Sequence, residues 1–496
     1  MLLLVTLAAR AITFGNPVIG FDEQFYLLVG DRMLHGALPF VDIFDRKPIG
    51  IFLVYAGARL LGGDGFLEYK LVAAAFVLVT AFLIYRTARH RAGPLGAILA
   101  AVLYILWLDF MEGEGGQTPV FYNLAVLGAG ALLLAAARSP AGLVWRGCAA
   151  LLLVGLALQV KYSVLFEGVF FGCAFLVLAR RDRLPWRMVA LFGLAMVLLA
   201  LLPTALTAAY YWRAGHLDAF LFCNFFSIFG QGKGPVLKQL VGLAGITGIL
   251  LPLILFGLLG RTRDPSPSGA RELPFLRAWL GVSVFAVLIY WRFNSPHYAL
   301  PVLLPACLLL APALDARRRI GIGLAVLAFV VGQGVQVNLK AIKGARAEAE
   351  AVTAAAMPRK GCIFVYNGYP ALYMMTHSCL PSRWAFPGHL NAADESNPRA
   401  LGADPLLITR RILAARPDAI VDTYPVFQYG NPPVHALVEQ AVRDRYALVA
   451  CIIMPRGKAR LVYRPRGDGS PRNVAHCPAA VLRGQAAGES PSTPNA

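Results

Sequence analysis

Two short motifs, Gly20-Phe-Asp-Glu-Gln-Phe-Tyr26 and Ile43-Phe-Asp-Arg-Lys-Pro-Ile-Gly50, bound a polar stretch lying between an apolar run over residues 1–20 and another over 66–85. Charges of both signs set directly beside runs long enough to cross a bilayer describe a loop at a membrane surface. Outward from it, further apolar runs occupy 95–110, 121–137, 147–160, 163–179, 188–210, 236–259, 276–291, 298–314 and 319–338. That makes about eleven spans, with 56–63 as a candidate interfacial or re-entrant piece. Composition agrees: of 496 residues 58% are hydrophobic and 15% charged, against roughly 25% charged in a soluble domain, and mean hydropathy is +0.61. A wholly soluble protein is excluded. The net charge of +19 resides largely in arginines beside apolar runs, which set membrane orientation, so it implies no nucleic-acid partner.

The short connections fall into two alternating classes. One holds Arg86, Arg89 and Arg91; Arg138 and Arg146; Arg180, Arg181, Arg183 and Arg187; Arg261, Arg263, Arg271 and Arg277; and Arg317, Arg318 and Arg319. These read as cytoplasmic. The other class, at 15–65, 111–120, the turn near Lys161, 211–235 and 292–297, is poorer in arginine and carries most loop carboxylates. It reads as the outer face, and the chain after about 340 emerges there too. The first run is irregular: Arg10, Asn16 and Pro17 interrupt it and no basic segment precedes it, which leaves a start placed too far downstream or a cleaved signal peptide as competing readings.

From residue 340 the pattern changes to short alternating segments. Strands are predicted at 362–366 and 419–422, helices at 406–415 and 434–446, and a hairpin from 448–454 with 460–463, giving a small α/β domain over 340–465 on the outer face. The tail, 466–496, is rich in Gly, Ser, Pro and Ala and is expected to be disordered. Cys148, Cys173, Cys223 and Cys307 lie in or near apolar runs and read as small buried hydrophobes. Cys362, Cys379, Cys451 and Cys477 can pair if their part lies outside the cytoplasm, in partnerships that sequence does not choose.

Chemistry is concentrated in the outer connections. Asp22 and Glu23 adjoin a helix end at the bilayer surface, where a partly desolvated carboxylate can act as a proton acceptor; solvated loop residues or a helix cap are the plain alternative. Arg46 and Lys47 form a cation pair suited to a phosphate, a fork beside a compact charge, with Asp45 next to them as a substrate contact. Glu112 and Glu114 stand among glycines, where they can orient hydroxyls, converge on a divalent cation, or remain an ordinary solvated loop. Lys161 either neutralises a phosphate or snorkels outward. Arg292, His297 and Tyr298 are candidate contacts to donor phosphate or sugar, with interfacial anchoring as the alternative.

The succession of a first span, an Asp-Glu pair, an aromatic-rich helix, a Gly-x-Leu-Pro turn and an Asp-x-Lys-Pro element resembles the first outer loop of GT-C class membrane glycosyltransferases. It is most similar to the branch holding the protein O-mannosyltransferases and the lipid A aminoarabinose transferases. Residues 155–161 followed by Tyr-Ser, and Arg292-Phe-Asn-Ser-Pro-His-Tyr, are similar to later elements of that family; Ile49 departs from it, where many relatives have a second proline. The resemblance implies a GT-C-like membrane part over 1–339 in a bacterial inner membrane, moving a sugar from a polyprenyl-phosphate carrier to a hydroxyl on lipid A, a polysaccharide or a protein. It implies Asp22, beside Glu23, as base, and Lys47, Arg46, Lys161 and Arg292 as donor-phosphate contacts. A multi-span transporter or flippase is the competing class; its signature would be repeats and broken helices with polar midplane groups, whereas here the ionisable groups gather at one face.

Overall fold

In the computed structural model, which describes residues 1–259 and 267–486, each of the eleven apolar runs carries helix, but their lengths differ. Among the described residues eight helices are long and apolar enough to cross a membrane. The runs at 1–20, 95–110 and 147–160 give the shorter helices Leu2–Arg10, Pro94–Trp107 and Leu143–Leu158, so the count by length is eight rather than eleven. The first gives way to a 3-10 turn at Ala11–Thr13 ahead of Asn16 and Pro17, the second to a 3-10 turn at Leu108–Phe110, and the third stops at Gln159 before the Lys161 turn. Arg261 and Arg263 lie outside the described residues.

Burial varies widely among the long helices. Pro296–Ala316 is 83% buried over its apolar window, whereas Trp186–Arg213 is only 17% buried and presents Leu194, Leu198 and Leu206 outward. An apolar helix without protein cover is stable only in lipid, so this is a multi-pass membrane protein. Asp315 on the central helix accepts from the backbone N–H groups of Gly93 and Gly96, at 3.2 and 3.1 Å, and so caps the start of Pro94–Trp107 from a neighbouring helix. Of the unpaired cysteines, Cys223 and Cys307 are buried as expected, Cys148 is half-buried, and Cys173 faces outward from an apolar helix.

The polar stretch folds into two helices and a turn. Helix Phe21–Leu34 starts at Gly20, whose φ of +84° suits glycine, and carries Asp22 and Glu23 in its first turn, at the positive end of the helix dipole. Helix Ile49–Arg59 follows Pro48 and takes up the first part of the piece expected at 56–63; at 11 residues it is too short to cross. The irregularities of the first run are also accounted for. Arg10, 1% exposed, donates to the carbonyls of Gly113, Glu114 and Gly115 at 2.5, 2.8 and 2.9 Å, while Lys70 donates to the carbonyls of Thr13 and Asn16. A polar break inside an apolar run is thus a built junction holding the loop after Phe110.

The C-terminal part forms one sheet from β1 (Ile363–Val365), β2 (Ala419–Tyr424), β3 (Tyr446–Met454) and β4 (Lys458–Pro465), in the order β1-β2-β4-β3. The first pair is parallel, with Ile363 opposite Ala419; the others are antiparallel, with a bulge between Leu448 and Ala450. Helices Pro405–Ala414 and Pro432–Arg445 connect the strands. Disulfides join Cys362 to Cys379 and Cys451 to Cys477. Residues 466–486, expected to lack structure, are instead attached to β3 through that second disulfide and through hydrogen bonds from Asn473 N to Val449 O (2.7 Å) and from Cys451 N to Asn473 O (3.2 Å); 487–496 lie outside the described residues.

Three buried carbonyls depend on one guanidinium. Arg10→Met keeps the apolar stem but leaves them without a donor, at a cost of about 3 kcal/mol or more; the purified variant is expected to unfold at a clearly lower temperature than wild type in a detergent thermal scan.

Candidate active site

A cavity of about 580 Å³ opens where helix Phe21–Leu34, the 45–48 turn, the Lys161 turn, residues 290–298 and the 386–395 segment meet. Asp45 shapes the turn from within: its Oδ1 accepts from the N–H groups of both Arg46 and Lys47, which presents the two cations in succession. Their fates differ. Arg46 gives Nη1 and Nη2 to the two carboxylate oxygens of Glu395 at 2.6 and 2.7 Å, Nε to Ser227 Oγ at 2.6 Å, and Nη2 again to the Ala400 carbonyl. Its fork is fully engaged, and it clamps the turn onto the 395–400 segment. Lys47 has no carboxylate partner within ion-pair distance; its Nζ lies 5.6 Å from the Tyr26 ring centroid. Asp45 and Asp22 nevertheless outweigh its burial and hold the ammonium above the usual lysine range.

Lys161 is 5% exposed, and its Nζ has no hydrogen-bond partner, only the Tyr298 ring at 3.5 Å. Burial, with Lys47 adding repulsion, drives it well below the usual lysine range. An anion beside Lys161 would supply the partner that its Nζ lacks and favour its charged form. Arg292 donates to Gln231 Oε1, with Asp394 at 3.8 Å. His389, buried among Phe25, Phe44 and Phe386, has an unpartnered Nδ1.

Behind Asp22 lies a second cavity, of about 280 Å³, lined by Glu23, Asp109, Glu112, Glu114, Gln117 and Lys343 among others. Asp22, Ser295 and His297 line both cavities and form the wall between them. Burial pushes the Asp22 carboxyl up, but Lys47 above all, with Gln117 and Lys161 adding, holds it below the usual carboxylate range; Tyr26 Oη and Gln117 Nε2 donate to its Oδ2 at 3.5 Å. It is therefore an ionised acceptor open on both sides. Its neighbour Glu23 is 1% exposed, and Gly20 and Gly115 make room for it: a Cβ on either would fall within 2.6 Å of its carboxylate. Burial, and then the charge of Glu114, raise Glu23 from 4.5 to about 7.

The two loop glutamates separate. Glu112 pairs with His297 Nδ1 at 2.7 Å, and Glu114 is buried, its carboxyl raised by that burial. Among the described residues no three His, Cys, Asp or Glu side chains converge as an ion site.

All eleven side chains singled out from the sequence line one cavity or the other. Arg46 and Asp45 also brace the turn, and Glu23 is buried beside Asp22. The contributions of His389, Glu395 and Gln117 were not legible: the first two come from a segment more than 300 residues away with no local motif. A lone Gln in a Gly-rich loop gives no signal.

No family model matches the chain, and no curated protein matches it. The fold does have solved counterparts. ArnT from Cupriavidus metallidurans in the apo state is similar with a TM-score of 0.56 and 14% identity, over 93% of this chain and 96% of that one. The same protein bound to undecaprenyl phosphate is similar with a TM-score of 0.57 and 14% identity, over 95% and 98%. The chain thus has the fold of ArnT, a lipid A aminoarabinose transferase, in line with the resemblance read from its first outer loop.

The elevated Glu23 carboxyl makes stability depend on pH. Ionisation begins near 4.5 in the unfolded chain and near 7 in the folded one, so between those values the unfolded state holds fewer protons and stability falls as pH rises. Glu23→Gln is expected to flatten that slope, read as thermal midpoints from pH 4.5 to 8; an unchanged slope would show that Glu23 ionises normally.

Proposed function

We propose that this protein is a membrane glycosyltransferase that moves a sugar from a polyprenyl-phosphate carrier to a hydroxyl acceptor on the outer side of a bacterial inner membrane. The observation that carries this reading is the position of Asp22, an ionised carboxylate in the wall between a cavity with two lysines that have no carboxylate in contact and an acidic one. The fold shared with ArnT, which has been solved bound to undecaprenyl phosphate, supports a carrier lipid as the donor. In this reading residues 1–339 form the catalytic part and 340–465 an extracytoplasmic α/β domain, the junction falling where helix Arg318–Lys343 ends at Gly344. The arginine-rich connections on the opposite side and the two disulfides support that orientation.

The carrier phosphate enters between Lys47 and Lys161, with Arg292 at the rim, and its charge restores that of the depressed Lys161. The acceptor hydroxyl reaches Asp22 from the acidic side. As its oxygen attacks the anomeric carbon, the proton passes to an Asp22 carboxylate oxygen and the bond from that carbon to the phosphate oxygen breaks, its electron pair leaving with the phosphate. One displacement from the face opposite the phosphate inverts the anomeric centre. Phosphate binding also draws off the positive field that depresses Asp22, so the carboxylate becomes a stronger base when the donor is in place. Glu112 holds the His297 ring in the wall, and Tyr298 covers Lys161.

Undecaprenyl phosphate at a hundred times its Kd should stabilise the purified protein by about 2.7 kcal/mol. The shift is expected to vanish in Lys47→Ala and to shrink in Lys161→Met. Asp22→Asn should keep it while losing transfer by about 10²–10⁴-fold once a sugar-loaded carrier is supplied. A wild type that the lipid does not stabilise, or a Lys47→Ala that it stabilises equally, overturns the carrier-phosphate assignment.

A further inference from the structure

The cavity behind Asp22 has an unusual inventory. Five of its lining side chains are carboxylates, those of Asp22, Glu23, Asp109, Glu112 and Glu114, against the single ammonium of Lys343. Arg10 and Lys70 stand behind its wall and give their hydrogen bonds to the carbonyls of 113–115 and of Thr13 and Asn16, so their charge reaches Glu23 and Glu114 but their donors do not. An acceptor is also left over. Gln117 Oε1, on a side chain 6% exposed, has no hydrogen-bond partner and lines the space. A buried acceptor without a donor is costly, so it describes what is missing from the cavity when it is empty.

A ligand that completes this site must bring hydrogen bonds as a donor and must not bring negative charge. Sugar hydroxyls supply donors, and an ammonium supplies three together with a countercharge for the carboxylates. A phosphate or carboxylate brings no countercharge, meets the ionised Asp22 at the wall, and adds negative charge to a confined space whose buried carboxyls already resist ionisation. The opposite holds across the wall, where Lys47 and Lys161 await an anion, so the two cavities discriminate by charge.

Building on the glycosyl-transfer reading, we infer that the acceptor is a non-phosphorylated glycan whose hydroxyls or amino group enter the acidic cavity, with amine-bearing sugars preferred and phosphorylated ones excluded. Gln117 is assigned as a specificity residue: its Nε2 reaches Asp22 and its Oε1 is free for an acceptor hydroxyl.

The test uses the full chain in detergent at pH 7, with saturation-transfer NMR titrations of methyl glucoside, methyl glucosaminide and glucose 6-phosphate. The glucosaminide is expected to bind tightest, the neutral glucoside next, and the phosphate at least about tenfold more weakly than either. In Glu112→Gln/Glu114→Gln the amine preference should disappear and the phosphate should bind. Stabilisation by undecaprenyl phosphate, measured on the same samples, shows that the variant is folded and tests the donor cavity separately. Equal or tighter binding of glucose 6-phosphate to wild type, or no binding of the glucosaminide, overturns this inference and leaves the donor reading standing. Charge selectivity without lipid stabilisation overturns the donor reading alone.

Discussion

A guanidinium with no water around it must spend its donors inside the protein, and Arg10 does so on three consecutive carbonyls. That contact converts a flexible Gly-Glu-Gly-Gly loop into a fixed wall. Once Gly115 is held, Glu23 has a defined slot; once Glu23 is seated, the first turn of helix Phe21–Leu34 has one orientation, and Asp22 is set in the wall shared by the two cavities. The geometry of the acidic cavity follows from that chain of contacts, which begins in a helix too short to span a membrane. Desolvation is the constraint throughout: each buried charge is placed by the partner it cannot do without.

Charge of opposite sign is segregated across a thin partition. Lys47 and Lys161 stand on one side with ammonium groups unmatched by any carboxylate in contact, and the carboxylates crowd the other. Such separation is electrostatically expensive in a low-dielectric setting, where opposite charges would otherwise pair. Retaining it means that each half is poised for a ligand of complementary charge, with Asp22 feeling both fields. The engaged Arg46 makes the contrast plain, since a cation used for structure shows its carboxylate partner at once.

Much of this could be read in the chain because membrane topology does part of the folding. Alternation of arginine-rich and arginine-poor connections brings Asp22, Lys47, Glu112, Lys161 and His297 to one face before any packing is considered, and short loops leave them little room to disperse. What could not be read depends on contacts between distant segments. Nothing local distinguishes Arg46 from Lys47, yet Glu395 claims one and leaves the other. The shortness of Leu2–Arg10 was hidden because hydropathy continues past the residue where the helix stops, whereas Pro94–Trp107 and Leu143–Leu158 fall on runs, 95–110 and 147–160, that were short already. The attachment of the tail to β3 rests on Cys477 and Asn473, which composition alone does not mark.

The turn after residue 40 belongs to two parts of the molecule at once. Phe44 N donates to the Arg383 carbonyl, Arg383 donates back to the Phe40 carbonyl, Arg32 reaches the Ser378 carbonyl, and Arg46 is forked onto Glu395. Half of the large cavity's cationic turn is thus held by a segment that a domain diagram would assign elsewhere. For anyone building hybrids from this chain and a relative, the natural cut is not at Gly344: the unit of exchange is residues 32–46 together with 378–400, and a chimera that takes one without the other inherits a cavity with a loose floor.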